Sequence, residues 1–138
     1  MAKANKTGRS KGDAKHARVY EHMQDTYAWK CLSPLAVKAY LRICLVYNGS
    51  NNGRLGVSAR WLADKLGISQ GAAARAIKDL VNHGFLDCQK ASSFGLKRTA
   101  AEYCLTHFRC DKTDKPATKR YLRFGQSNVV NLRQAEEN

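Results

Sequence analysis

The chain has 138 residues, of which 24 are Lys or Arg and 11 are Asp or Glu, so its formal net charge is +13. This length allows one domain with a modest core rather than two, and the excess of positive charge favours an acidic partner, most commonly nucleic acid. No stretch approaches the ~20 apolar residues of a membrane-spanning helix, and no apolar segment follows the basic N-terminus as in a signal peptide. We therefore expect a cytoplasmic protein with no membrane partner, whose five cysteines are free thiols.

The first 18 residues have the composition of a disordered basic arm. Lys and Arg recur among Gly, Ser, Asn and Ala, and Asp13 is the one acid. Such a segment cannot bury enough apolar surface to fold. It is either a solvated tail without a role or an arm that follows phosphates or enters a minor groove. We expect residues 19–124 to form the folded domain with a C-terminal extension, and residues 125–138 to be a flexible tail.

The next part of the chain predicts a helix between two turns. Residues 19–29 are expected to form a short helix or turn, with Trp29 in the core. Ser33 is a preferred N-cap residue and Pro34 a preferred first-turn residue, so a longer helix begins there. Its apolar face consists of Leu35, Ala39, Ile43 and Val46. The run NGSNNG at 48–53 indicates a turn, and a short strand is expected at 54–57.

Residues 57–83 (VSARWLADKLGISQGAAARAIKDLVNH) are the centre of the sequence. They predict two amphipathic helices, with Ser58 and Ser69 as the N-caps. Gly67 is expected to end the first helix in the left-handed conformation. Because the turn is so short and alanines stand where the backbones would cross, the pattern is that of a helix-turn-helix. An ordinary helical hairpin within a core is the alternative.

The residues after the second helix predict a β-hairpin with a basic tip. Residues 85–90 (FLDCQK) and 102–106 (EYCLT) alternate like strands. The loop 91–101 between them carries Lys97 and Arg98. A hairpin in this position is a wing. The expected fold is therefore mainly α with a small antiparallel sheet, a winged helix-turn-helix with a three-helix core and a β-hairpin wing.

A longer pattern runs through residues 29 to about 124. It reads AW-x-x-LSP-x-A, then YNGSNNG, then LA-x-x-LGIS-x-x-x-AARA-x-x-x-L-x-x-x-GF, followed by TAAEYCLTHFRCDKTDKPATKRYLRF. In this pattern the chain resembles small winged helix-turn-helix proteins of bacterial mobile elements, plasmids and prophages. The resemblance implies binding of double-stranded DNA on the bacterial nucleoid and transcriptional regulation, for which we expect a repressor. The chain also resembles the N-terminal modules of some plasmid replication initiators, which implies control of plasmid or phage replication as an alternative.

The outward face of the second helix is the predicted DNA-reading surface. Gln70 can pair with adenine and Arg75 with guanine, whereas Lys78 is expected on a phosphate. The full predicted DNA-binding set is Ser58, Arg60, Ser69, Gln70, Gly71, Ala74, Arg75, Lys78, Lys97 and Arg98. Because one helix reads few base pairs, we expect a homodimer on DNA with half-sites about 34 Å apart.

The sequence also carries patterns that fit other functions. Cys104, His107 and Cys110, together with Cys88 on the neighbouring strand, could supply four zinc ligands, but strand alternation should point Cys104 away from Cys88. A redox sensor built on these cysteines, and a winged helix that binds RNA or protein, are further alternatives. No phosphate-binding loop or nucleophile motif is apparent. We expect no catalytic residue, metal or cofactor, and no enzyme activity.

Overall fold

The structure is a computed structural model that describes residues 14–95 and 98–125, with Phe94 and Arg98 described by their backbone alone. Within this part, the helices are α1 (Glu21–Gln24), α2 (Tyr27–Cys31), α3 (Pro34–Cys44), α4 (Ala59–Leu66) and α5 (Gln70–Asn82), and a short 3-10 helix spans Arg120–Arg123. The strands are β1 (Leu55–Gly56), β2 (Leu86–Lys90), β3 (Ser93–Phe94), β4 (Arg98–Thr99) and β5 (Glu102–Leu105). The described part is thus mainly helical with a small antiparallel sheet, an arrangement compatible with the expected winged helix.

Serine side chains begin the three longest helices, as the sequence predicts. The hydroxyl oxygens of Ser33, Ser58 and Ser69 each accept a hydrogen bond from the backbone N–H three residues further on, at 3.1, 3.0 and 3.1 Å. These bonds satisfy N–H groups that have no partner within the helix. Gly67 follows α4 with φ +67° and Gly84 follows α5 with φ +85°, so both adopt the left-handed conformation that glycine tolerates best.

Strand β5 is the centre of a three-stranded antiparallel sheet with the order β1–β5–β2. Leu55 of β1 pairs with Tyr103, and Leu86 of β2 pairs with Leu105. Strands β3 and β4 form a separate two-stranded antiparallel pair between β2 and β5. The prediction of an irregular loop over 91–101 is therefore wrong at these strands. Two residues per strand are too few to produce the alternation that identifies a strand in a sequence.

The core lies where α3, α4 and α5 pack on the sheet. Its largest fully buried side chains are Tyr40, Tyr121, Phe85, Met23, Ile43, Leu55, Leu62, Leu80, Leu86 and Leu105. Trp29 contacts this core through its ring, which meets the rings of Tyr40 and Phe85 edge-on with centroids 5.7 Å apart in both pairs. The tryptophan is half-buried, so it closes the edge of the core rather than filling its centre.

The segment after β5 returns to the domain through Tyr121. The ring of Tyr121 is buried and stacks on Phe85, with centroids 5.0 Å apart and the planes within 4°. Phe124 is half-buried, but Leu122 is 51% exposed. Tyr121 and Leu122 differ in this way because successive side chains of a 3-10 helix point about 120° apart and Tyr121 takes the inward direction.

Element boundaries near the N-terminus also differ from prediction. Residues 19–29 were expected to form one helix or turn, but they contribute to two short helices, and Thr26 caps the second by accepting the Trp29 N–H at 3.3 Å. Helix α3 ends at Cys44, before Val46. Of the predicted arm and tail, residues 1–13 and 126–138 lie outside the described residues, and Ala17 already packs against the core.

Candidate nucleic-acid interface

Helix α5 has one buried face and one exposed face. Ala73, Ala76, Ile77 and Leu80 are buried, and α5 packs with them against α3 and α4. The two alanines let the backbones approach closely. The solvent-exposed residues of the helix are Gln70, Gly71, Ala74, Arg75, Lys78 and Asn82. The structure therefore confirms that the small, polar and basic side of this helix faces outward.

The side chain of Arg75 runs toward the start of α5. A Cβ atom built on Gly71 would lie 3.6 Å from Nη1 of Arg75, which is an ordinary van der Waals contact. Long helical side chains lean toward the N-terminus of their helix in this way. The guanidinium group therefore lies near Gly71, toward the end of the helix that is predicted to meet base edges.

The start of α5 is open to solvent. Ser69, Gln70 and Gly71 are all exposed, and Ser69 caps the helix by accepting the Ala72 N–H. Backbone N–H groups in the first turn of a helix and the positive end of its dipole attract anions such as phosphate. Gly71 carries no side chain that would keep a ligand away from this turn.

Asp79, the one acidic residue of α5, is half-buried and bonds to the start of α3. Its Oδ2 atom accepts hydrogen bonds from the backbone N–H and the hydroxyl of Ser33, both at 3.2 Å, and its Oδ1 atom lies 3.0 Å from Nδ1 of His83. The carboxylate thus lies at the N-terminus of α3, whose dipole favours negative charge. Asp79 thus bonds to Ser33 and His83 and forms no ion pair with Arg75 or Lys78.

A shallow groove of about 490 Å³ separates α5 from the start of α3. Its lining includes Ser33, Leu35, Arg75, Lys78 and Asn82, together with Asp79, whose carboxylate is already bonded to Ser33. The groove is continuous with the exposed face of α5, because Arg75 and Lys78 belong to both. A concave surface with two cations can receive the phosphate backbone of an extended polyanion.

Three basic residues after β5 form ion pairs with acidic side chains, unlike Arg75 and Lys78 of α5. Lys112 binds Glu102 at 3.0 Å and lowers the pKa of that carboxyl group through a hydrogen bond. Arg120 pairs with Asp87, and Arg109 pairs with Asp114. Among the described residues, by contrast, no acidic side chain forms an ion pair with Arg75 or Lys78. The cations of α5 are therefore available to an outside anion.

The remaining predicted DNA-binding residues fall into two groups. On α4, Arg60 is exposed in the first turn, whereas Ser58 is half-buried and its hydroxyl accepts the Trp61 N–H. On the hairpin, Lys97 lies outside the described residues, and Arg98 is described only as a backbone position in β4 that pairs with Phe94. Arg60 is thus exposed like the predicted residues of α5, whereas Ser58 serves as a cap.

Sequence reasoning missed the bond between Ser33 and Asp79. The two residues are 46 positions apart, and no local pattern connects an acid in one helix with the N-cap of another. The one available signal was that Asp79 is the single acid on an otherwise neutral and basic helix face.

Comparison of the chain with protein families, curated proteins and solved structures gives no match. Within residues 14–95 and 98–125, no group of three or more His, Cys, Asp or Glu side chains is arranged to hold a metal ion. Cys88 pairs across the strands with Tyr103, and Asp87 pairs with Cys104, so Cys88 and Cys104 lie on opposite faces of the sheet, as predicted. No helix in the described ranges has both the length and the apolar character needed to cross a bilayer.

Proposed function

We propose that this chain is a winged helix-turn-helix protein that binds double-stranded DNA in a sequence-specific manner and regulates transcription as a repressor. The observation that supports the proposal most strongly is the exposed face of α5. It presents Arg75 and Lys78 without a paired acid, and the residues at its start, Ser69, Gln70 and Gly71, are exposed. A polar, cationic helix of this size fits the width of a major groove.

The proposed contacts divide into base-reading and phosphate-binding groups. Gln70 and Arg75 are the base-reading residues, because their planar ends can form bidentate hydrogen bonds with adenine and guanine. Lys78, Arg60 and the first turn of α5 are the phosphate-binding groups. From the sequence alone, Lys97 and Arg98 are expected to add contacts to phosphate or to the minor groove.

We also propose that two copies bind together. One exposed helix reads few base pairs, so a homodimer on two half-sites about 34 Å apart would roughly double the free energy available for specificity. Light scattering should give the mass of two chains on DNA. A single chain on every bound duplex would remove this part of the proposal.

The test of the function is selection of duplexes from a random library by the full chain, followed by titration of the selected duplex at several salt concentrations. We expect enrichment of a defined sequence and, if about five phosphates are neutralised, a slope of log K against log salt near −4 to −5. A scrambled duplex and a single-stranded RNA serve as competitors. Equal binding of the selected and scrambled duplexes, or preference for RNA, would contradict the proposal.

A further inference from the structure

Two buried cysteines are neighbours at the end of β5. Cys104 is the third residue of that strand, and Cys110 lies in the following loop, where its backbone pairs with that of Lys115. Only 5% of Cys104 and 7% of Cys110 is exposed. The thiol of Cys104 donates to the backbone oxygen of Leu105 at 3.7 Å, and that of Cys110 donates to the backbone oxygen of Asn52 at 3.8 Å. The two side chains line the same cavity, and each affects the pKa of the other. Both thiols are free in the structure.

The side chain of Asn52 holds the strand and the loop together. Its Nδ2 atom donates to the backbone oxygens of Leu105 at 3.0 Å and Arg109 at 2.8 Å, and its Oδ1 atom accepts the Leu105 N–H at 2.7 Å. Gly53 next to it has φ +97°, and a Cβ atom there would lie 2.7 Å from Sγ of Cys110. The absence of a side chain at Gly53 is therefore required for the position of Cys110.

The surroundings of the two sulfur atoms differ. Burial would raise the pKa of Cys110, but hydrogen bonds from the hydroxyl and backbone N–H of Thr113, from Cys104 and from the Lys112 N–H outweigh it and lower the pKa. Burial raises the pKa of Cys104 to about 12, and its hydrogen bond to Cys110 acts in the same direction. Cys110 is thus the more acidic of the two thiols.

Both cysteines line a cavity of about 200 Å³ that also has exposed residues, Lys115 and Pro116, in its lining. A water molecule takes about 30 Å³ in the liquid, so a small hydroperoxide can enter this space. Larger oxidised thiols such as glutathione disulfide are poorly matched to it. The geometry therefore favours a small oxidant over exchange with a bulky disulfide.

We propose that Cys104 and Cys110 are a redox pair that closes to an intramolecular disulfide when the protein meets hydrogen peroxide or another small hydroperoxide. In the first step the Cys110 thiolate attacks a peroxide oxygen, the O–O bond breaks, and the leaving hydroxide takes up the proton that Cys110 lost, giving water and a sulfenic acid. In the second step the sulfur of Cys104 attacks the Cys110 sulfur. The S–O bond breaks, and the departing hydroxide takes the Cys104 proton and leaves as water. Two thiols are oxidised, and one peroxide is reduced to two waters.

The test is peptide mapping of the folded full-length protein after treatment with hydrogen peroxide and blocking of the remaining thiols. Cleavage after Arg98, Arg109 and Lys112 places the two cysteines on separate peptides, 99–109 and 110–112. We expect these peptides to be joined, with the loss of two hydrogen atoms from the intact chain, and the link to disappear on reduction. The exposed Cys31 and Cys88 should remain as thiols at the same peroxide dose.

Two variants keep the result interpretable. Cys104→Ser should accumulate a sulfenic acid on Cys110 that a diketone reagent traps, because the second thiol is missing. Cys88→Ser is the matched control and should form the link as the parent does. The proposal is overturned if the link joins Cys31 or Cys88 instead, if Cys110 remains a thiol while those two are oxidised, or if Cys104→Ser traps no sulfenic acid on Cys110.

Discussion

Asp79 of α5 accepts two hydrogen bonds from Ser33, one from its backbone N–H and one from its hydroxyl, each 3.2 Å long. The same hydroxyl accepts the Ala36 N–H, so Ser33 caps α3 while Asp79 holds Ser33. A glutamate in the first turn of a helix commonly gives such reciprocal support to its own N-cap. Here the acid comes from another helix, so the start of α3 and the position of α5 are joined by one group of bonds.

We expect Asp79→Ala to lower the free energy of unfolding by about 1–2 kcal/mol, because Ser33 loses an ionised acceptor and α3 loses support for its cap. Lys78→Ala, at the preceding residue, is the control. The Lys78 side chain is exposed, so its removal should change the free energy of unfolding by no more than about 0.5 kcal/mol. Urea titrations of both variants measure the difference. Equal midpoints for Asp79→Ala and Lys78→Ala would show that the bond adds nothing to stability.

Two glycines with similar backbone conformations should respond differently to alanine. A Cβ atom on Gly84 would lie 2.6 Å from the backbone nitrogen of Tyr121, whereas one on Gly67 would have no atom within 4 Å. Both variants lose about 1 kcal/mol from the positive φ angle. Gly84→Ala must also displace the 3-10 helix, so we expect its melting temperature to fall clearly below that of Gly67→Ala. Similar melting temperatures would mean that the 3-10 helix moves aside at no cost.

Asn52 should be important for stability although it is polar. It is fully buried, and its side chain bonds to the backbone of Leu105, Phe108 and Arg109. We expect Asn52→Ala to reduce the free energy of unfolding by about 3 kcal/mol, because it leaves buried backbone groups without partners. Asn82→Ala, at an exposed position, is the matched control. An Asn52→Ala variant that is as stable as Asn82→Ala would indicate that the loop repacks around the missing amide.

His107 should make stability depend on pH. Burial lowers its pKa from 6.5, and the positive charges of Lys119 and His22 lower it further. The unfolded chain therefore binds this proton more tightly, so the stabilising contribution is complete above about pH 6.5 and declines as the pH falls from there through the native pKa. Between about pH 7.5 and pH 5, the wild type should lose more unfolding free energy than His107→Gln, which can keep the bond to Tyr121. Identical pH profiles would contradict this assignment.

Features encoded locally could be predicted from the sequence. The caps at Ser33, Ser58 and Ser69, the turn glycines and the exposed side of α5 all follow from spacing and residue type, and the structure confirms them. The features that were missed depend on residues far apart in the chain, such as the Ser33–Asp79 bond, or on very short elements, such as β3 and β4. Chain folding brings these groups together, and no short pattern in the sequence records their contacts.

The central claim is that the exposed face of α5 reads a DNA duplex, and Arg75→Ala tests it most directly. The control is Lys115→Ala, which also removes one positive charge. Lys115 is exposed and lies in the segment after β5, where its backbone pairs with that of Cys110. In anisotropy titrations of the selected duplex at constant salt, Arg75→Ala should weaken binding by about 1–3 kcal/mol, roughly 5- to 150-fold, and relax one base position. Lys115→Ala should bind as the parent does. If both variants bind the selected duplex equally well, α5 does not read the duplex.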